Sequence, residues 1–360
     1  MARAKFSHVA IRGVCTELPQ GRIYLDDERS YYESEVKVQK LKATVGLNAR
    51  AVVDSTTTPG DLMRSAANRL FLGMGIDRAS VDAVICVLDY PDHRCPPTSC
   101  ELHGKLGLPS TCLAFDINHG CAGYVYGLCV AHALIESSAA RRILLLVGDT
   151  KSKTINVRDR ISAPIFGDGA AATLLERTDT PQESWFVLGA DGSQSDRIIV
   201  PAGGARLPSS PETRRVDVDS FGNARSLENF QMDGRAVFDF TMNAVPANIS
   251  EVLSFGGKSA SDLDFLVLHQ ANKSIIQNIA IRIGVRDFSR VPTAALAKYG
   301  NLAVASIPCV FNDCLSEKLQ TSRQTLLISG FGVGLAYGSA ILTTEAIYAP
   351  KPFTYGENGK

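Results

Sequence analysis

Two stretches of this chain repeat one pattern of apolar and polar positions. In the first, an amphipathic segment at about 60–73 ends near Gly75, and a polar loop leads to Asp82 and the run Ala83-Val84-Ile85-Cys86-Val87-Leu88-Asp89. In the second, an amphipathic segment at about 236–254 ends near Gly257, and Asp264 precedes Phe265-Leu266-Val267-Leu268-His269. Each aspartate falls seven residues after its glycine. The parallel continues downstream, because Cys121 lies 32 residues after Asp89 and Asn301 lies 32 after His269. Both landing points follow a glycine and are expected to open a helix rich in small residues. Each predicted helix is followed by a basic residue and a buried strand that ends in glycine, at 141–149 and 323–334. Short continuous apolar strands alternating with helices argue for sheets covered on both faces. The pattern therefore predicts a duplicated α/β architecture whose halves meet near residues 176–186.

Residues 200–230 are rich in Pro, Gly, Ser and charge and read as a long surface loop or cap. Residues 349–360 read as a loose tail. The segment Phe166-Gly167-Asp168-Gly169, with its run of alanines, reads as a structural turn into a strand, and Ala336–Ile347 as a further strand.

Composition narrows the function. The 360 residues carry 37 basic and 37 acidic side chains, so no bulk charge favours nucleic acid or a membrane surface. The N-terminus shows no signal-peptide pattern, and the longest apolar run, Val125–Ile135, is interrupted by Gly127 and His132 and too short to span a bilayer. Nine cysteines without CxxC pairs are expected to be reduced thiols in a cytoplasm. Cys95, Cys100, His93 and His103 lie near one another in sequence, but the Pro-Pro turn between them and the lack of a second pair argue against zinc.

Cys121 is the residue best placed for chemistry. A thiol in the first turn of a helix faces unpaired N–H groups and the positive dipole end, which favour thiolate. His269 ends a strand at an edge where open α/β sheets place ligands. The duplication sets His269 and Asn301 at positions equivalent to Asp89 and Cys121, converging on one crevice. Glycines at 330–338 let backbone N–H groups turn towards a bound oxygen; the run only loosely matches GxGxxG, and dinucleotide binding is rejected. A thiol with two neutral hydrogen-bonding partners, and no carboxylate to hold the histidine as a strong base, suits carbon–carbon bond formation better than proteolysis.

With these residues, "GCAGYVYGL", "HQAN", "YGNLAVASIP", "FGDGAAA" and "FGVGLAYGSA", the chain resembles β-ketoacyl-acyl-carrier-protein synthase III, a branch of the thiolase-like superfamily, over about 8–345. The resemblance implies a five-layered α-β-α-β-α fold of two duplicated halves (1–180 with the nucleophilic cysteine, 181–348 with His and Asn, then the tail 349–360) and a homodimer. It implies that Cys121 accepts an acyl primer from a thioester, that malonyl thioester on acyl carrier protein then loses carbon dioxide, and that His269 and Asn301 stabilise the enolate. Backbone N–H groups of Cys121 and Val333 would hold the oxyanion, with no metal or redox cofactor. Arg160, Asn272, Phe331 and Cys95 would contact substrate, and Lys273 and Arg282 the carrier protein.

Departures from the family bear on the substrate. Lys40 and Thr44 stand where it usually has a tryptophan stacking on the adenine of coenzyme A and a nearby arginine. Cys95 replaces a bulky aromatic that crosses the dimer to floor the acyl pocket, and His119 stands where small residues are usual. The alternatives are a relative that passes the acyl group to oxygen or nitrogen, a chalcone-synthase-like enzyme, and a non-catalytic heterodimer partner. A degradative thiolase is disfavoured because 330–338 contain no second cysteine.

Overall fold

The computed structural model describes residues 1–28 and 34–357. Its two large sheets use eleven strands: β1 (Ala2–Phe6), β2 (Val9–Leu18), β3 (Ala83–Leu88), β4 (Leu113–Asn118), β5 (Arg142–Asp149), β6 (Gly169–Arg177), β7 (Ser184–Ala190), β8 (Phe265–Leu268), β9 (Gln324–Gly332), β10 (Ala336–Thr344) and β11 (Phe353–Thr354). The α-helices are α1 (Glu35–Val45), α2 (Pro59–Met74), α3 (Thr98–Leu106), α4 (Gly123–Glu136), α5 (Pro211–Arg214), α6 (Gly234–Phe255), α7 (Lys273–Arg282), α8 (Ala294–Tyr299), α9 (Ser306–Asp313) and α10 (Ser316–Thr321).

One sheet runs β11-β2-β6-β5-β3-β4 and the other β1-β7-β10-β9-β8. The repeated pattern in the sequence is repeated in space. In each sheet two antiparallel pairings are followed by one parallel pairing, β2-β6-β5-β3 in the first and β7-β10-β9-β8 in the second. The parallel pairs join strands separated by a helix, as a crossover requires.

Alternation along the central strands builds five layers. Ala83, Ile85 and Val87 of β3, with Ile143, Leu145 and Val147 of β5, face inwards onto α4 and α9, and Leu326 and Ile328 of β9 meet the same core from the other side. The odd-even partners face outwards: Val84, Cys86, Leu144 and Leu146 pack on α2, while Leu327 and Ile341 pack on α6. The α4 sequence is apolar all round because sheets cover it on both sides. Among the described residues no helix is long and apolar enough to cross a membrane.

The structure adds to the sequence reading at four points. The ranges 1–180 and 181–348 are crossed at both ends, since β1 pairs with β7 in the second sheet and β11 with β2 in the first. The described part of the tail is docked: the Tyr355 N–H bonds to the Leu18 carbonyl at 2.8 Å, and Lys351 donates to the Asp313 carbonyl. Residues 113–118 form β4, but their counterparts 180 positions later form part of helix α8, because Ala294-Ala295-Leu296-Ala297-Lys298 are strong helix formers without a β-branched residue. The 200–230 segment does more than cover the surface. Phe230 is buried, its N–H bonds to the Thr154 carbonyl at 2.9 Å, and Arg225 grips Asp159 with two hydrogen bonds at 2.8 and 2.9 Å.

Buried Asn312 on α9 ties three segments together. Its Nδ2 donates to the carbonyls of Val14 and Pro350 at 2.8 and 2.7 Å, and its Oδ1 accepts from Thr16 at 2.7 Å. At about 1 kcal/mol net per buried hydrogen bond, Asn312→Ala is expected to cost about 3 kcal/mol. Urea unfolding checks this: the midpoint falls with an unchanged slope, and a loss under about 1 kcal/mol contradicts the assignment.

Candidate active site

β4 ends at Asn118, and the turn His119-Gly120-Cys121-Ala122 delivers the chain to α4. Cys121 thus lies two residues before the helix, not within its first turn. The small neighbours noted in the sequence have a steric reason. A Cβ on Gly120 would sit 2.9 Å from Asp89 Oδ2, and one on Gly123 would sit 2.7 Å from Val87. The end of β9 runs against the same turn: a Cβ on Gly330 would lie 2.9 Å from Ala122 Cα, and one on Gly332 would lie 2.8 Å from Cys121 Cβ and 3.1 Å from Sγ. Only glycine allows this approach.

His269 follows β8 and is buried. Its ring meets Phe331, the residue between those two glycines, edge-on with centroids 5.4 Å apart. Nδ1 lies 2.7 Å from Ser306 Oγ, whose own hydrogen goes to the Ala303 carbonyl at 2.9 Å. Ser306 therefore meets the imidazole as an acceptor, which sets the Nδ1–H tautomer and leaves Nε2 as a base. Asn301 is pinned by its backbone to Ile165 and Gly167 at 2.9 and 3.0 Å. Its Oδ1 accepts from Ala303 N at 2.9 Å, committing the oxygen and leaving Nδ2 to donate. A 3₁₀ turn at Ala303–Ala305 separates Asn301 from α9, so Asn301 does not directly open a helix. Contacts thus run from Cys121 through Gly332 and Phe331 to His269, and through Ser306 and Ala303 to Asn301. Ser306 escaped the sequence reading, although a polar residue in the buried run Leu302–Ile307 was a signal.

The electrostatics overturn the expected thiolate. Burial pushes the Cys121 thiol up to about 12; Lys151 opposes this, while Asp89 and Asp149 reinforce it. Burial likewise holds His269 down at about 3, so thiol and imidazole are both neutral at rest. Beside them lies a charged cluster that the sequence reading missed apart from Asp89. The ammonium of Lys151 is paired with Asp89, and both are largely buried. Burial opposes ionisation of Asp89, but Lys151 and hydrogen bonding outweigh it and hold the carboxyl below its usual range. Asp149 is buried, and burial together with the neighbouring Asp89 charge pushes its carboxyl well above the usual carboxylate range.

The remaining candidates divide. Val333 lines a cavity of 340 Å³ together with Asp89, Lys151 and Phe230. Cys95 is exposed and lines a different cavity of 420 Å³ with Pro91, Arg94 and Phe115. The Arg160 guanidinium approaches the loop at Gly222. Asn272 caps α7, accepting from Ile275 N at 2.7 Å. Lys273 is exposed with its stem against Gly46, whereas Arg282, at the far end of α7, donates to the Met242 carbonyl and so departs from the expected docking role. Lys40 and Thr44 are exposed on α1, whose eleven residues include no aromatic ring. His119 packs against Tyr126, the rings tilted by 37° and their centroids 4.3 Å apart. Among the described residues no group of His, Cys, Asp or Glu converges to hold a metal.

Comparison with known proteins matches two parts of the chain to family models, 3-oxoacyl-[acyl-carrier-protein (ACP)] synthase III over residues 115–192 and its C-terminal part over 253–344. A Campylobacter jejuni protein named 3-oxoacyl-[acyl-carrier-protein] synthase 3 is 37% identical over 98% of this chain and 99% of its own. A β-ketoacyl-[acyl-carrier-protein] synthase III of Campylobacter curvus is 33% identical over 82% of this chain and 86% of its own. The crystal structure of a 3-oxoacyl-(acyl-carrier protein) synthase from Burkholderia xenovorans superposes with a TM-score of 0.91 at 34% identity, covering 98% of this chain and 99% of that one.

A thiol held high by burial makes a specific kinetic prediction. Alkylation of Cys121 by iodoacetamide, followed by peptide mass spectrometry, should rise about tenfold per pH unit from pH 7 to pH 9 without a plateau. Asp89→Asn, which removes a charge that opposes thiolate, should accelerate it. A plateau between pH 6 and 8 would show a resting thiolate instead.

Proposed function

Since the chain belongs to the 3-oxoacyl-[acyl-carrier-protein] synthase III family, we propose that it is an acyltransferase catalysing a decarboxylative Claisen condensation. An acyl primer held on Cys121 joins a malonyl thioester carried by acyl carrier protein, and the product is a 3-oxoacyl thioester. The observation that carries this reading is the partner of His269. The imidazole meets a hydroxyl rather than a carboxylate, so it is held neutral and correctly turned but is not driven as a hydrolase base.

In the first step Cys121 Sγ attacks the primer thioester while its proton passes to Nε2 of His269; the carbon–sulfur bond to the donor breaks and the released thiolate takes a proton from water. Malonyl thioester then enters, its carboxylate leaves as carbon dioxide, and the bonding electrons become an enolate. Asn301 Nδ2 and the protonated Nε2 donate to the enolate oxygen. The enolate carbon attacks the acyl carbonyl, whose oxyanion lies against the N–H groups of Cys121 and Val333. Collapse breaks the bond to Sγ, and the thiolate recovers the proton held on His269. No step calls for a metal or redox cofactor.

A second copy of the chain completes this reading. β4 is the last strand of its sheet, no strand of the described residues pairs with its outer edge, and Leu113 is 48% exposed. Such an edge is covered by pairing, and we assign it to a homodimer in which the cavity at Cys95 faces the partner. Carrier docking falls to the exposed Lys273 rather than Arg282.

Intact-protein mass spectrometry with acyl thioesters, followed by malonyl-carrier turnover, tests the roles. Cys121→Ala should load no acyl group, whereas His269→Ala and Asn301→Ala should still load, His269→Ala more slowly, but lose at least about 100-fold in decarboxylation. Normal loading and condensation in all three variants would refute the mechanism.

A further inference from the structure

The 340 Å³ cavity beside the nucleophile is not a plain hydrocarbon pocket. Its walls include Ile198, Ile199, Val200, Val333 and Phe230, but also Asp89 and Lys151. These two are an ion pair with side chains only 15% and 4% exposed, and the Lys151 ammonium lies 5.4 Å from the Phe230 ring centroid. The pair is close to the chemistry, because Asp89 Oδ2 and Val333 Cγ2 lie 2.9 and 3.1 Å from where a Cβ of Gly120 would stand. With one Cα–Cα step of about 3.8 Å to Cys121, the carboxylate falls within about 8 Å of the Cys121 backbone, the reach of a short acyl chain.

A buried ion pair often adds no more to stability than apolar residues of the same volume. A pocket made only for an alkyl chain has no use for it. What the pair offers is a full acceptor and a full donor side by side. Lys151 gives one of its three N–H donors to Asp89 and Asp89 retains lone pairs. Asp89 and Lys151 together carry no net charge. A ligand carboxylate would face Asp89 and a ligand ammonium would face Lys151. An alkyl group would leave both dry and incompletely hydrogen-bonded, which is costly. The group that donates to one, accepts from the other and adds no charge is a hydroxyl.

On the reading that Cys121 is acylated, we propose that the primer is a short hydroxyacyl group, its hydroxyl a few carbons from the thioester, recognised by Asp89 and Lys151 while the remaining chain lies against Ile198, Val200 and Val333. The test compares isosteres. Loading of Cys121 by 3-hydroxybutanoyl and 3-methylbutanoyl thioesters, and by 4-hydroxybutanoyl and pentanoyl thioesters, is followed by intact-protein mass spectrometry on carrier protein and on coenzyme A. In at least one pair the hydroxylated primer should load at least about tenfold faster, because a site built to bond a hydroxyl rejects the analogue lacking it. The double variant D89L/K151M, which replaces the pair without leaving a lone charge, should abolish or reverse that preference, with circular dichroism confirming its fold. Equal or faster loading of both alkyl primers on the wild type overturns the hydroxyacyl assignment and leaves the acyl-cysteine chemistry standing. An unchanged ratio in the folded double variant also overturns it, and failure of every thioester to acylate Cys121 overturns the underlying reading.

Discussion

The arrangement rests on one steric constraint, the approach of the β9 terminus to the turn at Cys121. Side chains alternate along a strand, so positions 330 and 332 turn towards the cysteine turn while Phe331 turns to the imidazole of His269. Glycine at the first two sets the backbone against Ala122 and the nucleophile's own Cβ. Phenylalanine between them buttresses the histidine. One three-residue strand end therefore fixes both sulfur and imidazole relative to a single backbone. Because β9 belongs to the second sheet and the cysteine turn leaves the first, the same contact locks the halves across α4. A methyl group at either glycine pushes on backbone or on Cβ, with no flexible side-chain end to yield.

Much of this was legible as repetition. The equal separations from Asp89 to Cys121 and from His269 to Asn301 report equivalent strands, and the sheets pair those strands in the same order and sense. What the chain concealed has physical causes. β1 and β11 exchange sheets through five and two residues, too short for periodicity to say which edge they join. The break in the echo at α8 was written in alanine-rich local propensity, which prevailed over the symmetry. Ser306 does its work through a single hydroxyl in a buried turn, and hydrophobic patterning gives such a residue no weight.

The thiol shows why position alone misleads. A helix N-terminus contributes at most about 2 kcal/mol, and only within its first turn. Cys121 precedes α4 by two residues and is buried, and the help that Lys151 gives to thiolate is opposed by Asp89 and Asp149. Desolvation is the larger effect, and the resting site is a neutral thiol beside a neutral imidazole. Neutrality suits a two-stage reaction. The proton leaves sulfur only when the primer carbonyl is there to be attacked, and Nε2 can hold it until the carbon–sulfur bond breaks. A permanent thiolate–imidazolium pair would keep two charges in a dry cavity through every idle interval, at a cost of several kcal/mol per ion.

The Asp89–Lys151 pair is the exception to that economy, and its position gives the reason. It lines the cavity proposed for the primer, within electrostatic reach of the same sulfur, where Lys151 favours thiolate and Asp89 opposes it. A neutral ligand hydroxyl that donates to Asp89 spreads part of the carboxylate's charge away from Sγ, while the ammonium remains. Occupation of the pocket by the matching primer thus lowers the barrier to ionising the thiol that must attack it. An alkyl primer of equal size excludes water from both charges and gives nothing back. The cost of burying the pair is therefore borne by every primer and offset by the one that bonds to it, so selection is made at the loading step, before a malonyl group is spent.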